Sequence, residues 1–148
     1  MIVLGSDHAG YELKEKIKKH LEQHGYNCKD VGTNSTDSVD YAPIAVELSK
    51  EVLANEGALG ILCCGTGIGI SIAANKVKGI RAACCSNEYS AEMTRLHNNA
   101  NVLAMGGRVI DEKTAKKIAD TFINTPFNGA ERHQRRIDQI SAIENCEM

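Results

Sequence analysis

Short apolar runs alternate with helix-period stretches along the whole chain, and this alternation restricts the fold more than any other feature. Ile2–Gly5 predicts a buried strand. Ala9–His24 predicts an amphipathic helix, with Leu13, Ile17 and Leu21 at i, i+4 and i+8 and Gly25 just past its end. Tyr26–Val31 predicts a strand. Asp40–Asn55 predicts a helix with Pro43 in its first turn and Ile44, Leu48 and Val52 on one face. Leu59–Cys63 is a continuous apolar strand, followed by Gly65-Thr66-Gly67-Ile68-Gly69 and a short helix to Asn75. Then come a strand at Ile80–Cys84, a helix at Tyr89–His97, a strand at Val102–Met105 and a helix at Asp111–Asn124 that Asp111 caps. Arg132–Asn145 predicts a last helix carrying Ile137, Ile140 and Ile143. Strands alternating with helices require right-handed crossovers. The expectation is a single-domain α/β fold with a mostly parallel five-stranded sheet and helices on both faces.

One domain covering residues 1–148 fits the length. A chain of this size buries roughly two thirds of its unfolded surface, so it needs no metal or disulfide staple. No linker, internal repeat or low-complexity segment is present. Lys and Arg number 17 against 19 Asp and Glu, for a net charge of −2. That balance argues against nucleic acid as a partner. No apolar run approaches the roughly 20 residues of a membrane span. No basic segment followed by a long apolar core opens the sequence, so the expectation is a cytoplasmic protein without a membrane partner. The six cysteines, at 28, 63, 64, 84, 85 and 146, form no C-x-x-C motif. Vicinal pairs such as Cys63-Cys64 bridge poorly, so six reduced thiols are expected.

In parallel α/β sheets ligands bind outside the carboxyl ends of the strands. That rule selects Ser6-Asp7-His8, Cys64-Gly65-Thr66, Cys85-Ser86-Asn87 and Gly106-Gly107-Arg108. The most informative segment is Cys64-Gly65-Thr66-Gly67-Ile68-Gly69. Its alternating glycines let successive N–H groups point into one concavity ahead of a helix, which suits an anion. The pattern is neither a P-loop nor the dinucleotide fingerprint, and it lies mid-chain. A merely structural Gly-rich turn is the alternative. Cys64 stands where a thiol serves as base or nucleophile, or packs as an inert core group. Cys63, one residue back, should point to the other face.

Asp7 fits two roles, acceptor of a hydroxyl proton or cap of the following helix, and spacing favours the cap. His8 could donate to an anion. His97, beside Asn98 and Asn99, is on its own a weak signal, with an ordinary surface histidine as the simpler account. Arg132 and Arg136 are i, i+4 neighbours whose guanidinium forks can converge on one phosphate, with a solvated basic face as the alternative. Cations at a helix N-terminus oppose its dipole, which makes a bound anion more attractive there.

Taken together these segments resemble the type B ribose-5-phosphate isomerases, within the sugar-phosphate isomerase family that includes the galactose-6-phosphate isomerase subunits. The resemblance runs over nearly the whole chain. It rests on Gly5-Ser6-Asp7-His8-Ala9-Gly10, on Cys64 through Lys76, on His97-Asn98-Asn99, and on Arg132-His133-Gln134-Arg135-Arg136. It implies that Cys64 is the base moving a proton between C2 and C1. Where one branch of the family carries a glutamate as base, this chain has Ile70, so the cysteine branch fits. The resemblance also implies that Gly65, Thr66, Gly67, Ile68 and Gly69 hold the enediolate oxygens and that Thr66 shuttles a hydroxyl proton. His97 would open the furanose ring with help from Asp7. His8, Arg132 and Arg136 would hold the phosphate, and Asn98 and Arg108 would make further substrate contacts. It implies a Rossmann-like α/β sandwich, a homodimer or tetramer with the site completed across the subunit interface, and no cofactor or metal. Arg135 receives no role.

The chemistry matches these residue types. An aldose–ketose isomerisation removes a proton next to a carbonyl and creates an enediolate. Each preorganised donor to such an oxyanion is worth about 3–4 kcal/mol, and a positioned base adds roughly 10²–10⁴-fold. Competing readings are a six-carbon substrate such as allose or galactose 6-phosphate, a non-catalytic module binding a sugar phosphate or nucleotide, and a thiol redox protein. The last lacks a suitably spaced resolving cysteine.

Overall fold

The computed structural model describes all 148 residues. The elements run β1 (Ile2–Ser6), α1 (Tyr11–Gln23), β2 (Cys28–Asp30), α2 (Tyr41–Ala54), β3 (Leu59–Cys64), α3 (Ile68–Ala74), β4 (Ala82–Cys84), α4 (Glu88–Asn98), β5 (Val102–Gly106), α5 (Glu112–Asn124) and α6 (Glu131–Glu144). The strands form one sheet in the order β2-β1-β3-β5-β4, and every pairing is parallel. The α/β class and the strand number agree with the sequence reading, and the sheet is wholly parallel.

The pleat divides the core in two. Ile2, Leu4, Ile61, Cys63, Leu103 and Met105 pack against Leu13, Ile17 and Leu21 of α1 and Ala115, Ile118 and Phe122 of α5. Val3, Leu62, Cys64, Val102 and Ala104 pack against Leu48 and Val52 of α2 and Ile70 and Ala74 of α3. Successive strand residues face opposite sides, and burial of both sides makes the strands read as unbroken apolar runs.

The two edge strands are shorter than their apolar stretches predict. β4 pairs only Ala82–Cys84 with Val102–Ala104, and β2 only Cys28–Asp30 with Ile2–Leu4. A strand with one neighbour keeps its ladder only as far as that neighbour runs beside it. Asp111 caps α5 as predicted, its Oδ1 accepting the Thr114 N–H at 2.8 Å. On α6 Ile137 is buried, but Ile140 and Ile143 are exposed.

Two features brace the carboxyl end of the sheet. A Cβ at Gly10 would lie 2.3 Å from the Cys63 carbonyl, so only glycine lets the turn into α1 press onto the tip of β3. Lys14 on α1 is wholly buried, and its Nζ donates to both Asp30 oxygens, at 2.8 and 3.0 Å, and to the Thr33 carbonyl. Lys18 Nζ adds a bond to Asp30 at 2.9 Å. Burial by itself would raise the Asp30 carboxyl. The bonds from Lys14, Lys18 and the Gly32 N–H outweigh it and hold the group below its usual range. This knot anchors the start of the segment that leads from β2 to α2.

The strand order creates one crevice. The chain leaves β1 for β2 at one side and then crosses back to place β3 on the other. The segments after β1 and β3 therefore run to α1 and α3 on opposite faces of the sheet. Their divergence opens a cleft at the carboxyl ends of the two strands.

Candidate active site

That cleft is a cavity of about 500 Å³ lined by Asp7, His8, Ala9, Ser38, Val39, Asp40, Tyr41, Cys64, Gly65, Thr66, Gly69 and Arg108. Cys64 ends β3, and strand alternation turns its thiol toward the α3 side. The Gly67 N–H donates to Cys64 Sγ at 3.1 Å. Gly67 has φ +81°, and a Cβ there would come within 2.8 Å of the Met105 backbone, so the turn needs glycine on both counts. Thr66 Oγ1 is exposed and accepts the Ile68 N–H at 3.2 Å.

Asp7 is 6% exposed and does two things at once. Its Oδ1 accepts the Gly10 N–H at 3.0 Å, which closes the turn before α1 rather than capping the helix, whose N-cap is Gly10 itself, and its carboxylate lines the cavity. The Val39 N–H donates to His8 Nδ1 at 3.2 Å. In the neutral ring that leaves Nε2 carrying the proton, a donor suited to an anion. The Arg108 N–H donates to the Gly65 carbonyl at 3.0 Å, and the Gly107 N–H to the Cys64 carbonyl at 2.8 Å. These bonds tie the loop after β5 to the glycine turn.

The remaining candidates lie elsewhere on the same chain. His97 is in the last turn of α4, which returns antiparallel to the strands and ends at their amino edge. There the Gly60 N–H donates to the Asn101 carbonyl at 2.9 Å. Cys64 lies four residues further along β3, which puts the two ends about 13 Å apart along the strand direction. Asn98 is exposed beside His97, and its carbonyl accepts from Arg81 Nε at 2.9 Å. Arg132 and Arg136 are exposed at the start of α6 and make no ion pair within the chain. One chain thus presents two separate groups of candidates: Asp7, His8, Cys64, the glycine turn and Arg108 at one edge, and His97, Asn98, Arg132 and Arg136 around α4 and α6.

A family model described as ribose/galactose isomerase matches residues 2–140, which include both groups. The chain belongs to the ribose/galactose isomerase family. Among its relatives, ribose-5-phosphate isomerase B of Escherichia coli (strain K12) is 47% identical over 97% of this chain and 95% of that one. The solved ribose-5-phosphate isomerase B of Clostridium thermocellum superposes with a TM-score of 0.96 at 47% identity, covering 99% of each chain. The enzyme of that name from Mycoplasma genitalium, solved with bound ribulose-5-phosphate, gives a TM-score of 0.92 at 43% identity over 97% of this chain and 95% of that one.

In this ribose/galactose isomerase fold the four thiols nearest the carboxyl edge of the sheet have distinct surroundings. Cys63 is completely buried, and loss of hydration pushes its thiol up to about 12. Burial likewise pushes Cys85 up to about 11. Cys84 is exposed at the back of the glycine turn, with Sγ 3.7 Å from the Thr66 carbonyl. Only Cys64 lines the cleft.

Sequence reasoning missed one wall of the cleft, formed by Ser38, Val39, Asp40 and Tyr41. The carboxyl-end rule covers the segment after β2 as well, but no residue pattern there marks it. A separate cavity of about 450 Å³ between β4, α4 and α6 includes Asn98, Ile140 and Ile143, without a comparable set of reactive groups. No three His, Cys, Asp or Glu side chains come together as a metal-binding group. No helix is long and apolar enough to cross a membrane.

Proposed function

We propose that this chain interconverts D-ribose 5-phosphate and D-ribulose 5-phosphate through a cis-enediolate. The observation that carries the reading is the convergence of one thiol, a run of turn amides, a carboxylate, a histidine donor and an arginine on a single cleft. The relatives named ribose-5-phosphate isomerase B support the same substrate.

The phosphate binds His8 together with Arg132 and Arg136, and this remote contact orients the reacting carbons. Arg108 and Asn98 add further substrate contacts. His97, with Asp7 assisting, moves the proton that opens the furanose ring. The Cys64 thiolate then removes the C2 proton of the open aldose. The electron pair forms the C1–C2 double bond, and the charge develops on the former aldehyde oxygen. The amides of Gly65 through Gly69 hold the enediolate oxygens, and Thr66 relays the hydroxyl proton from O2 to O1. Cys64 returns its proton to C1, leaving the ketone at C2. No redox partner is consumed.

His97 and Cys64 of one chain stand at opposite edges of the sheet, too far apart for one pentose phosphate. The working unit is therefore a homodimer, or a tetramer built from it, in which α4 and α6 of one copy complete the cleft of the other. The deciding assay follows ketose formation from ribose 5-phosphate. Turnover is expected from the native chain and is lost in Cys64→Ala, which still binds the sugar phosphate. Absence of turnover by the native protein would overturn the proposal.

A further inference from the structure

His133 is a buried titratable group outside the proposed machinery. It follows Arg132 in the first turn of α6 and is 8% exposed. Its ring lies flat against that of His97, with centroids 4.2 Å apart and planes 17° from parallel. Its Nε2 is enclosed and has no hydrogen-bond partner.

That orphan atom restricts the protonation state. A neutral imidazole can leave Nε2 as the nitrogen with the free electron pair and put its N–H on Nδ1. An imidazolium carries N–H on both nitrogens, so protonation would bury a donor with no acceptor, at the full desolvation cost. The groups facing the ring act in the same sense. Burial and then His97 on α4, with Arg132 and Arg136 on α6, hold His133 below the usual histidine range. No carboxylate pairs with it. Two stacked imidazolium rings would repel, so the pair takes up one proton before a second. A cation over a neutral aromatic face is favoured instead.

We propose that His133 is a positioning residue for His97: stacked on it, the His133 ring sets the plane of the His97 imidazole. The inference rests on the proposed role of His97 as the ring-opening acid. It adds a residue that touches no substrate and acts through the catalytic ring. Displacing a catalytic group by about 1 Å costs on the order of 10²-fold, so a lost stacking partner has a measurable effect.

The first test is a pH titration of the imidazole resonances of the intact protein by NMR, assigned with His97→Asn and His133→Phe. His133 is expected to stay neutral across the pH range in which the enzyme turns over. Protonation of His133 within that range would overturn the proposal. The second test is kinetic. His133→Ala should lower kcat on ribose 5-phosphate by about 10–100-fold with KM little changed. His133→Phe, which keeps a flat neutral ring in the stack, should recover most of that loss. Wild-type kcat in His133→Ala, or equal impairment of the Phe variant, would sink the idea. Should the Ala variant fail to fold, the Phe variant and the titration still decide. His97→Asn tests the underlying reading separately. Wild-type turnover there removes His97 as the acid, whereas the protonation state of His133 in the intact protein continues to report on His133.

Discussion

Cys63 and Cys64 are consecutive in β3, yet Cys63 packs among the side chains of α1 and α5 while Cys64 packs on the α2–α3 side and lines the cleft. The pair makes an internal control. Cys64→Ala should lower kcat by at least about 10²–10⁴-fold while sugar-phosphate binding persists. Cys63→Ala should keep its turnover and lose about 1–2 kcal/mol of stability through the small cavity it leaves. Steady-state kinetics and denaturant unfolding of the two variants measure both effects. The reverse pattern would assign the chemistry to the wrong sulfur.

The separation of His97 from Cys64 within one chain predicts complementation. Cys64→Ala and His97→Asn are each expected to be inactive as homodimers. Coexpressed in equal amounts, half the dimers are mixed and each contains one intact cleft, so activity should return to about a quarter of wild type. A mixture as dead as its components would argue that each site is built from a single chain.

Arg132 and Arg136 should act through the phosphate alone. A charged hydrogen bond contributes about 1.5–3 kcal/mol, so Ala at either position should raise KM for ribose 5-phosphate by about 10–100-fold. The weak turnover of unphosphorylated ribose should hardly change. An equal effect on both sugars would remove the phosphate assignment.

The Lys14–Asp30 contact predicts a pH-dependent stability. The Asp30 carboxyl is held below its ordinary 3.8 in the folded chain. A group lowered on folding stabilises the fold above its unfolded pKa, and that contribution is lost as pH falls through the folded value. Asp30→Asn takes from the buried Lys14 ammonium its closest carboxylate, leaving Glu15 Oε1 at 3.5 Å and the Thr33 carbonyl, and should cost about 1.5–3 kcal/mol near neutral pH. The gap between variant and wild type should close on acidification below about pH 4. Urea melts of both proteins across that range give the answer, and a gap constant with pH would rule out the ion pair as its cause.

Exhaustive chelation should leave turnover of ribose 5-phosphate unchanged, because the proposed steps assign all charge stabilisation to amides, histidines and arginines. A chelator-sensitive enzyme, restored by a defined cation, would replace that mechanism.

Much of the fold was legible because its signals are local. The spacing of Leu13, Ile17 and Leu21 put one stripe of α1 on the core, and Asp111 marked the start of α5. The glycine turn announced itself by three glycines in alternation, of which Gly67 has to lack a side chain. The edge strands came out short because their length depends on a neighbour, which no local pattern encodes. The Ser38–Tyr41 wall went unseen for a similar reason: its main recognisable contact is a backbone N–H, that of Val39 on His8, and any residue but proline supplies one.

The linear order of residues by itself determined that Cys64 follows Cys63 onto the opposite face and stands at the head of an amide-rich turn. Both facts come from the two-residue period of a strand and the torsional freedom of glycine. Only the folded arrangement decided that Asp7, His8, Cys64 and Arg108 share one cleft while His97 lies at the far edge beside His133. A helix that joins two parallel strands returns antiparallel to them. The carboxyl end of such a helix and the carboxyl end of a strand are therefore separated by the length of the sheet, whatever their spacing along the chain.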